Sequence, residues 1–307
     1  MSVARSLLLR LSRSEWLAEQ FRSRAFAQRA VRRFMPGEDL ASALDATARF
    51  ATAGIGTILT ELGERVTTRA EADAVRDHYL GVLKQIRERQ LPSVVSIKLT
   101  HLGLDTDREA CLKDVMALAA AAQAGGSFLW IDMEESNYVD ATLDVFRRVR
   151  GAHENVGVCL QAYLRRTAAD LDALLPLKPA IRLVKGAYNE PPLVAFPAKR
   201  DTDANYFALG GKLLEAAAQG RATPCFGTHD LGLIARLRER GTQLKVSPSA
   251  YEFALLYGIR ADDQQRLAAQ GARVRVLISY GSAWFPWYMR RLAERPANVW
   301  FVLRSLL

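Results

Sequence analysis

VVSIKLTHLGLDTDREACLKDVMALAAAAQAGGSFLWID, residues Val94–Asp132, reads as strand, helix and strand. Val94–Leu99 and Ser127–Asp132 are short runs rich in apolar and β-branched or aromatic residues. Arg108–Ala122 between them is Ala- and Leu-rich, with apolar positions at 3.6-residue spacing. Two strands joined by a helix of that length form a parallel βα unit. The same alternation runs through most of the chain. Further strand-like runs lie at Thr57–Leu62, Val156–Gln161, Ile181–Lys185, Thr223–Thr228, Gln243–Ser247 and Val274–Ile278. Helix-like stretches such as Glu71–Arg89, Ala204–Ala218 and Leu231–Arg240 separate them. Eight such units in about 250 residues is the count of a closed (β/α)8 TIM-type barrel. A doubly wound sheet is the competing arrangement. It would carry a GxGxxG turn if it bound a dinucleotide, and here Gly54 and Gly56 begin that pattern but Leu59 breaks it. The expected organisation is an N-terminal helical arm over 1–53 and a barrel over 54–307.

Composition narrows the function. Half of the 307 residues are hydrophobic, which supports a large core and excludes wholesale disorder. The formal charge is +9, yet residues 1–33 hold eight arginines against Glu15 and Glu19, leaving the rest nearly neutral. A basic end is not a basic protein, so nucleic acid is not the expected partner. Leu7, Leu8, Leu11, Leu17, Phe21 and Phe26 fall near helical spacing, which makes this end an amphipathic helix rather than a transit peptide. Its first reading is an arm packed on the barrel or a subunit neighbour. Its second is a contact for anionic headgroups. Cys111, Cys159 and Cys225 are scattered without CxxC spacing, which indicates a reducing compartment and neither disulfides nor zinc. The uncharged stretch Met116–Ile131 is too short and too broken to span a bilayer.

In a barrel, functional groups gather at the C-terminal strand ends. Buried parallel strands should be nearly all apolar, yet these runs end in Lys98, Asp132, Gln161, Arg182 with Lys185, and Thr228 with His229. Their recurrence at equivalent positions predicts a polar pocket at the barrel mouth. Near the C-terminus, Arg290 and Arg291 follow Trp284, Phe285, Trp287 and Tyr288, with Glu294 one helical turn beyond Arg290. An exposed i,i+4 salt bridge is the plain reading. Paired guanidinium forks also match a carboxylate or phosphate, so the pocket favours an anionic ligand. His78, His101, His153 and His229 show no metal-ligand spacing, and no GxSxG elbow exists. A Schiff base on Lys98 or Lys185, as in an aldolase, remains open at this point.

QAYLRRT (Gln161–Thr167), RLVKGAY (Arg182–Tyr188), FGTHD (Phe226–Asp230) and MRRLAERPAN (Met289–Asn298) together resemble the proline dehydrogenases, in the short single-function bacterial form. ELGE (Glu61–Glu64) and SIKL (Ser96–Leu99) resemble family segments more weakly. The resemblance implies a distorted (β/α)8 barrel holding FAD and oxidising L-proline to 1-pyrroline-5-carboxylate, with hydride passing from C5 to flavin N5. It implies a quinone as electron acceptor and a cytoplasmic enzyme that visits the inner face of the membrane. The oligomeric state stays open. By the same resemblance Arg290 and Arg291 clamp the substrate carboxylate, oriented by Glu294 and joined by Lys98, with Tyr188 near the ring. Asp132 and Arg182 serve the chemistry. Met133, Gln161, Arg182, Val184, Lys185, Gly186 and Ala187 line the isoalloxazine, and Thr228 and His229 hold other parts of the FAD. A methylenetetrahydrofolate reductase-like flavin barrel is the nearest alternative, and a non-enzymatic scaffold the furthest. Four positions depart from the family, Ser279 among them in the place of a proline. Leu277 stands where a tyrosine is usual, in RVLISYG, and Tyr280 has the opposite strand parity. Asp230 stands for an asparagine and Asn189 for the tryptophan of the long enzymes.

Overall fold

The computed structural model describes residues 31–293, with the side chains at 286 and 290–293 outside the description. Eight parallel strands close on themselves in sequence order: β1 (Gly56–Glu61), β2 (Ser93–Ile97), β3 (Leu129–Ile131), β4 (Val156–Gln161), β5 (Ala180–Val184), β6 (Thr223–Gly227), β7 (Glu252–Leu256) and β8 (Val274–Tyr280). The seam is the parallel β1–β8 pair, from Gly56 opposite Arg275 to Glu61 opposite Tyr280. Nine α-helices of the described residues complete the fold: α1 (Leu40–Ala51), α2 (Arg69–Glu88), α3 (Arg108–Ala124), α4 (Val139–Arg150), α5 (Thr167–Leu174), α6 (Lys199–Ala218), α7 (Leu231–Gln243), α8 (Ala261–Ala269) and α9 (Trp284–Ala293). The eight-stranded barrel read from the strand count is therefore the observed fold.

Local chemistry starts the helices. Thr68 and Glu71 form a reciprocal capping box at α2. Asp39, Asp107 and Asp230 accept backbone N–H groups at the heads of α1, α3 and α7.

The strand pleat divides the core into two layers. Outward residues such as Leu59, Val95, Ile131 and Leu183 pack under the helices. Inward residues Ile58, Val94, Trp130, Ala180, Cys225 and Ala254 make a separate apolar plug inside the barrel. Trp130 fills so much of it that a Cβ on the facing Gly157 would lie 2.5 Å from its ring. The plug closes the barrel from below and leaves the upper layer for function.

Two boundaries differ from the sequence reading. The seventh strand is Glu252–Leu256, whereas α7 continues through Gln243 and Lys245 turns into the left-handed region at φ +54°. The run Gln243–Ser247 has strand composition but serves as the end of a helix and its exit. EFALL was hidden by its opening glutamate, which is buried and bonded through both oxygens to Arg275 Nε at 2.9 and 2.8 Å. The second difference concerns α1, assigned to the arm. Its Ala43, Leu44 and Ala46 are buried in the same core as the barrel helices, so a division at 53/54 cuts through shared packing. Residues 1–30, which carry most of the expected arm, lie outside the described residues.

Candidate active site

A chamber of about 1040 Å³ opens at the C-terminal ends of the strands. Parity explains its walls. Counting by twos along β2, β3, β4 and β5 brings Ser96 and Lys98, Trp130 and Asp132, Cys159 and Gln161, and Arg182 and Val184 to the inside. Ser96, Asp132, Cys159 and Arg182 sit one inward step above the apolar plug, and Lys98 and Gln161 one step higher.

Arg182 is the centre of this layer. It is 2% exposed, and its Cζ lies 5.2 Å over the Trp130 ring. Its Nη2 donates to Ser96 Oγ at 2.8 Å and, at closer range, to Asp132 Oδ1. Its Nε donates to Cys159 Sγ at 2.7 Å. Burial alone would depress the guanidinium, but the Cys159 sulfur and the Asp132 carboxylate outweigh it and hold Arg182 above the usual arginine value. Burial pushes the Cys159 thiol up to about 12, so the sulfur is a neutral thiol and Asp132 is the true counter-charge. Asp132 also lies 4.0 Å from Lys98 Nζ. The result is a cation–anion–cation row that joins the ends of β2 and β3 to β5 across the barrel mouth.

On the β5–β6 side, Lys185 Nζ donates to Asp203 Oδ1 at 2.5 Å and to Asp230 Oδ2 at 3.0 Å. Asp203 comes from the first turns of α6, and Asp230 caps α7. Lysines that form Schiff bases are typically desolvated or set beside another cation. Lys185 between two carboxylates meets neither condition. Lys98, although its side chain is 11% exposed, faces the Asp132 carboxylate and not a second cation, so the arrangement favours ion pairs over a Schiff base.

The loops around the mouth are tied by a buried acid. Glu134, 1% exposed, accepts Thr100 N at 3.0 Å on one oxygen and Thr100 Oγ1 at 2.5 Å on the other. Burial raises its carboxyl to about 7, against the Thr100 bonds and the Lys98 charge, which lower it. A carboxyl raised on folding favours the native state fully below its unfolded value of 4.5, and that advantage is lost as pH rises through about 7. The loss is on the order of 3 kcal/mol. Urea unfolding at a series of pH values should show this decline, and Glu134→Gln should flatten it. An identical slope in the variant would contradict the assignment. Nearby, burial and the Lys98 charge push His101 down to about 4. Its ring explains the glycine of ELGE, since a Cβ on Gly63 would lie 2.1 Å from His101 Nε2.

Lys98, Asp132, Met133, Gln161, Arg182 and Val184 all line the chamber, as do Lys185, Gly186, Ala187, Tyr188, Thr228 and His229. Arg290 and Arg291 lie on α9, whose Trp287 reaches the chamber, but their side chains are outside the description. Glu294 lies outside the described residues. Sequence reasoning missed Thr60, Ser96 and Cys159, although each sits at the correct parity and the last two lie on strands whose ends were singled out. It also missed Asp203 and Lys199, which depend on where the β5–α6 connection returns. Leu277 and Ser279 face the chamber, whereas Tyr280 is buried and its hydroxyl meets His78 Nε2 of α2 at 2.8 Å. The regular strand thus keeps Tyr280 from replacing the usual tyrosine.

The family model described as Proline dehydrogenase matches residues 43–304. The chain belongs to the proline dehydrogenase family. It is 37% identical over 304 residues to Proline dehydrogenase 1 of Bacillus subtilis, covering 99% of both chains. It is also 37% identical over 280 residues to Proline dehydrogenase of Deinococcus radiodurans, covering 90% of this chain and 89% of that one. Among solved structures, proline utilization A (PutA) from Bdellovibrio bacteriovorus, inactivated by N-propargylglycine, superposes with a TM-score of 0.80. That match covers 87% of this chain and 32% of the longer protein at 23% identity, and it supports the barrel fold. Family membership thus agrees with the motifs at Gln161–Thr167, Arg182–Tyr188 and Phe226–Asp230.

Proposed function

We propose that this chain oxidises L-proline to 1-pyrroline-5-carboxylate, the first step of proline catabolism, with FAD bound in the barrel mouth. The observation that carries the reading is the row Lys98–Asp132–Arg182 above Trp130. Two buried polar atoms in the same wall support a heteroaromatic ligand. Arg182 Nη1 and Gln161 Oε1 have no hydrogen-bond partner in the protein, and leaving such a group unmet costs about 1–3 kcal/mol. A ring with its own acceptors and donors, such as an isoalloxazine, would satisfy both. When bound, FAD would supply the hydride acceptor for C5 of proline.

The chain's residues would then bind and orient. Lys98, Arg290 and Arg291 would hold the substrate carboxylate, with Glu294 aligning the arginine pair and Tyr188 beside the ring. Asp132 would fix Lys98 from one oxygen and Arg182 from the other. Met133, Val184, Gly186 and Ala187 would pack on the flavin, with Lys185, Thr228 and His229 toward the rest of the cofactor. Positioning of C5 at near-attack distance is worth several kcal/mol, on the order of 7–11 for well-fixed partners. A carboxylate clamp acts alike on ground and transition states, so Arg291→Met should raise KM far more than it lowers kcat. Steady-state kinetics with an unchanged KM and a collapsed kcat would contradict that role.

Electrons would leave to a quinone in the membrane. Among the described residues no helix is long and apolar enough to cross a bilayer, so the encounter would be peripheral. The basic segment 1–33 is the proposed contact. The full chain should sediment with anionic liposomes in a salt-sensitive manner, and a chain beginning at Phe34 should not. Equal, salt-independent behaviour would refute the contact. The function itself is tested by incubating the protein with L-proline and a soluble quinone, then trapping the product imine with o-aminobenzaldehyde. Proline-dependent adduct is expected. A borohydride-trapped lysine without imine release would overturn the reading.

A further inference from the structure

The Arg182 guanidinium has five N–H groups in a rigid plane. Three of them are spent inside the barrel, on Cys159 Sγ, Ser96 Oγ and Asp132 Oδ1. The acceptors stand on three different strand ends: β2, the exit of β3, and β4. The fourth and fifth, on Nη1, have no partner in the protein, on a residue that lines the chamber. The plane is therefore pinned along its Nε–Nη2 edge, and the remaining edge is left for a ligand.

Ser96 and Cys159 play parallel parts. Ser96 Oγ accepts from Nη2 and donates to Asp132 Oδ1 at 2.9 Å. Cys159 Sγ accepts from Nε and faces the same Asp132 oxygen at 3.6 Å, within reach of a thiol donor. Each neutral group thus bridges the two halves of the ion pair. Ser96 is fully buried and Cys159 is 3% exposed, so both contacts to Arg182 are screened from bulk solvent. Neither residue carries charge at neutral pH, and removing one alters the direction of the guanidinium without altering the charge of the site.

We propose that Ser96 and Cys159 are positioning residues that aim the Arg182 cation at the flavin, and thereby set how readily the flavin accepts negative charge. The inference rests on the flavin reading above. A fixed cation stabilises charge that develops on a ligand only while its geometry is held. A guanidinium released from its edge contacts turns toward Asp132 alone, and its effect at the flavin falls.

The test uses sulfite, an anion that adds reversibly to flavins and reports the same electrostatic field without turnover. The full-length FAD-loaded protein is compared with Ser96→Ala, Cys159→Ala and Cys159→Ser. Both alanine variants should bind sulfite about tenfold more weakly and show a lowered flavin midpoint potential. Their KM for proline should stay within about twofold, because the carboxylate clamp is untouched. Cys159→Ser, whose hydroxyl can accept from Nε and donate to Asp132, should restore wild-type sulfite affinity. FAD-loaded alanine variants with unchanged sulfite affinity and potential would overturn the proposal. So would a Cys159→Ser variant as weak as Cys159→Ala. If Cys159→Ala retains no FAD, Ser96→Ala decides by the same two readouts. A wild-type protein that holds no FAD would instead refute the underlying flavin reading.

Discussion

Asp132→Ala should lose about 3–5 kcal/mol of folding stability, because it strands a buried arginine. Arg182 has only a 3% exposed side chain, and Asp132 is its carboxylate partner. Ser96 and Cys159 would remain as acceptors, but neither offsets a charge. The same substitution removes the group beside Lys98 Nζ, so proline oxidation should fall by orders of magnitude along with stability. Asp132→Asn keeps hydrogen-bonding capacity but not charge and should lie between. Urea unfolding of the full chain measures the first effect. A loss below about 1 kcal/mol would mean that Arg182 escapes to solvent, as in surface pairs, and that the buried row is not rigid.

Gly186→Ala should nearly abolish cofactor retention. The backbone there has φ +115°, a region that side-chain-bearing residues adopt at a cost of about 1–3 kcal/mol. In addition, a Cβ would lie 2.2 Å from Tyr163 Cδ1, inside the ring's own volume. The Tyr163 N–H donates to the Lys185 carbonyl at 2.9 Å, so the two segments cannot part without breaking the exit of β5. The double variant with Tyr163→Ala removes the overlap and keeps the backbone strain, and it should recover only part of the lost FAD. Cofactor content after purification checks both. Wild-type content in Gly186→Ala would show that the RLVKGAY glycine is not required by its geometry.

Much of the fold could be read from one βα unit, because period-2 and period-3.6 patterns do not mimic each other over long stretches. Val156–Gln161 and Thr223–Gly227 fall where the apolar runs suggested. The seventh strand did not, because a short apolar run opening on a charged residue has no pattern of its own. Glu252 belongs in the barrel only through Arg275, a partner 23 positions away. The active layer was half legible for a related reason. Polar strand ends such as Lys98, Asp132 and Arg182 stand out against apolar runs, whereas Ser96 and Cys159 resemble ordinary small core residues. Their importance appears only when the guanidinium they hold is located. Asp230 shows the reverse case, since a residue that departs from the family pattern turns out to cap α7 and to bond Lys185.

The central claim is that the barrel mouth holds FAD which L-proline reduces. Anaerobic addition of L-proline to the purified full-length protein, followed in the visible spectrum, tests it most directly. A yellow protein is expected, whose flavin absorbance is bleached by proline and restored by a quinone. A colourless protein, or a flavin spectrum that proline leaves unchanged, would contradict it.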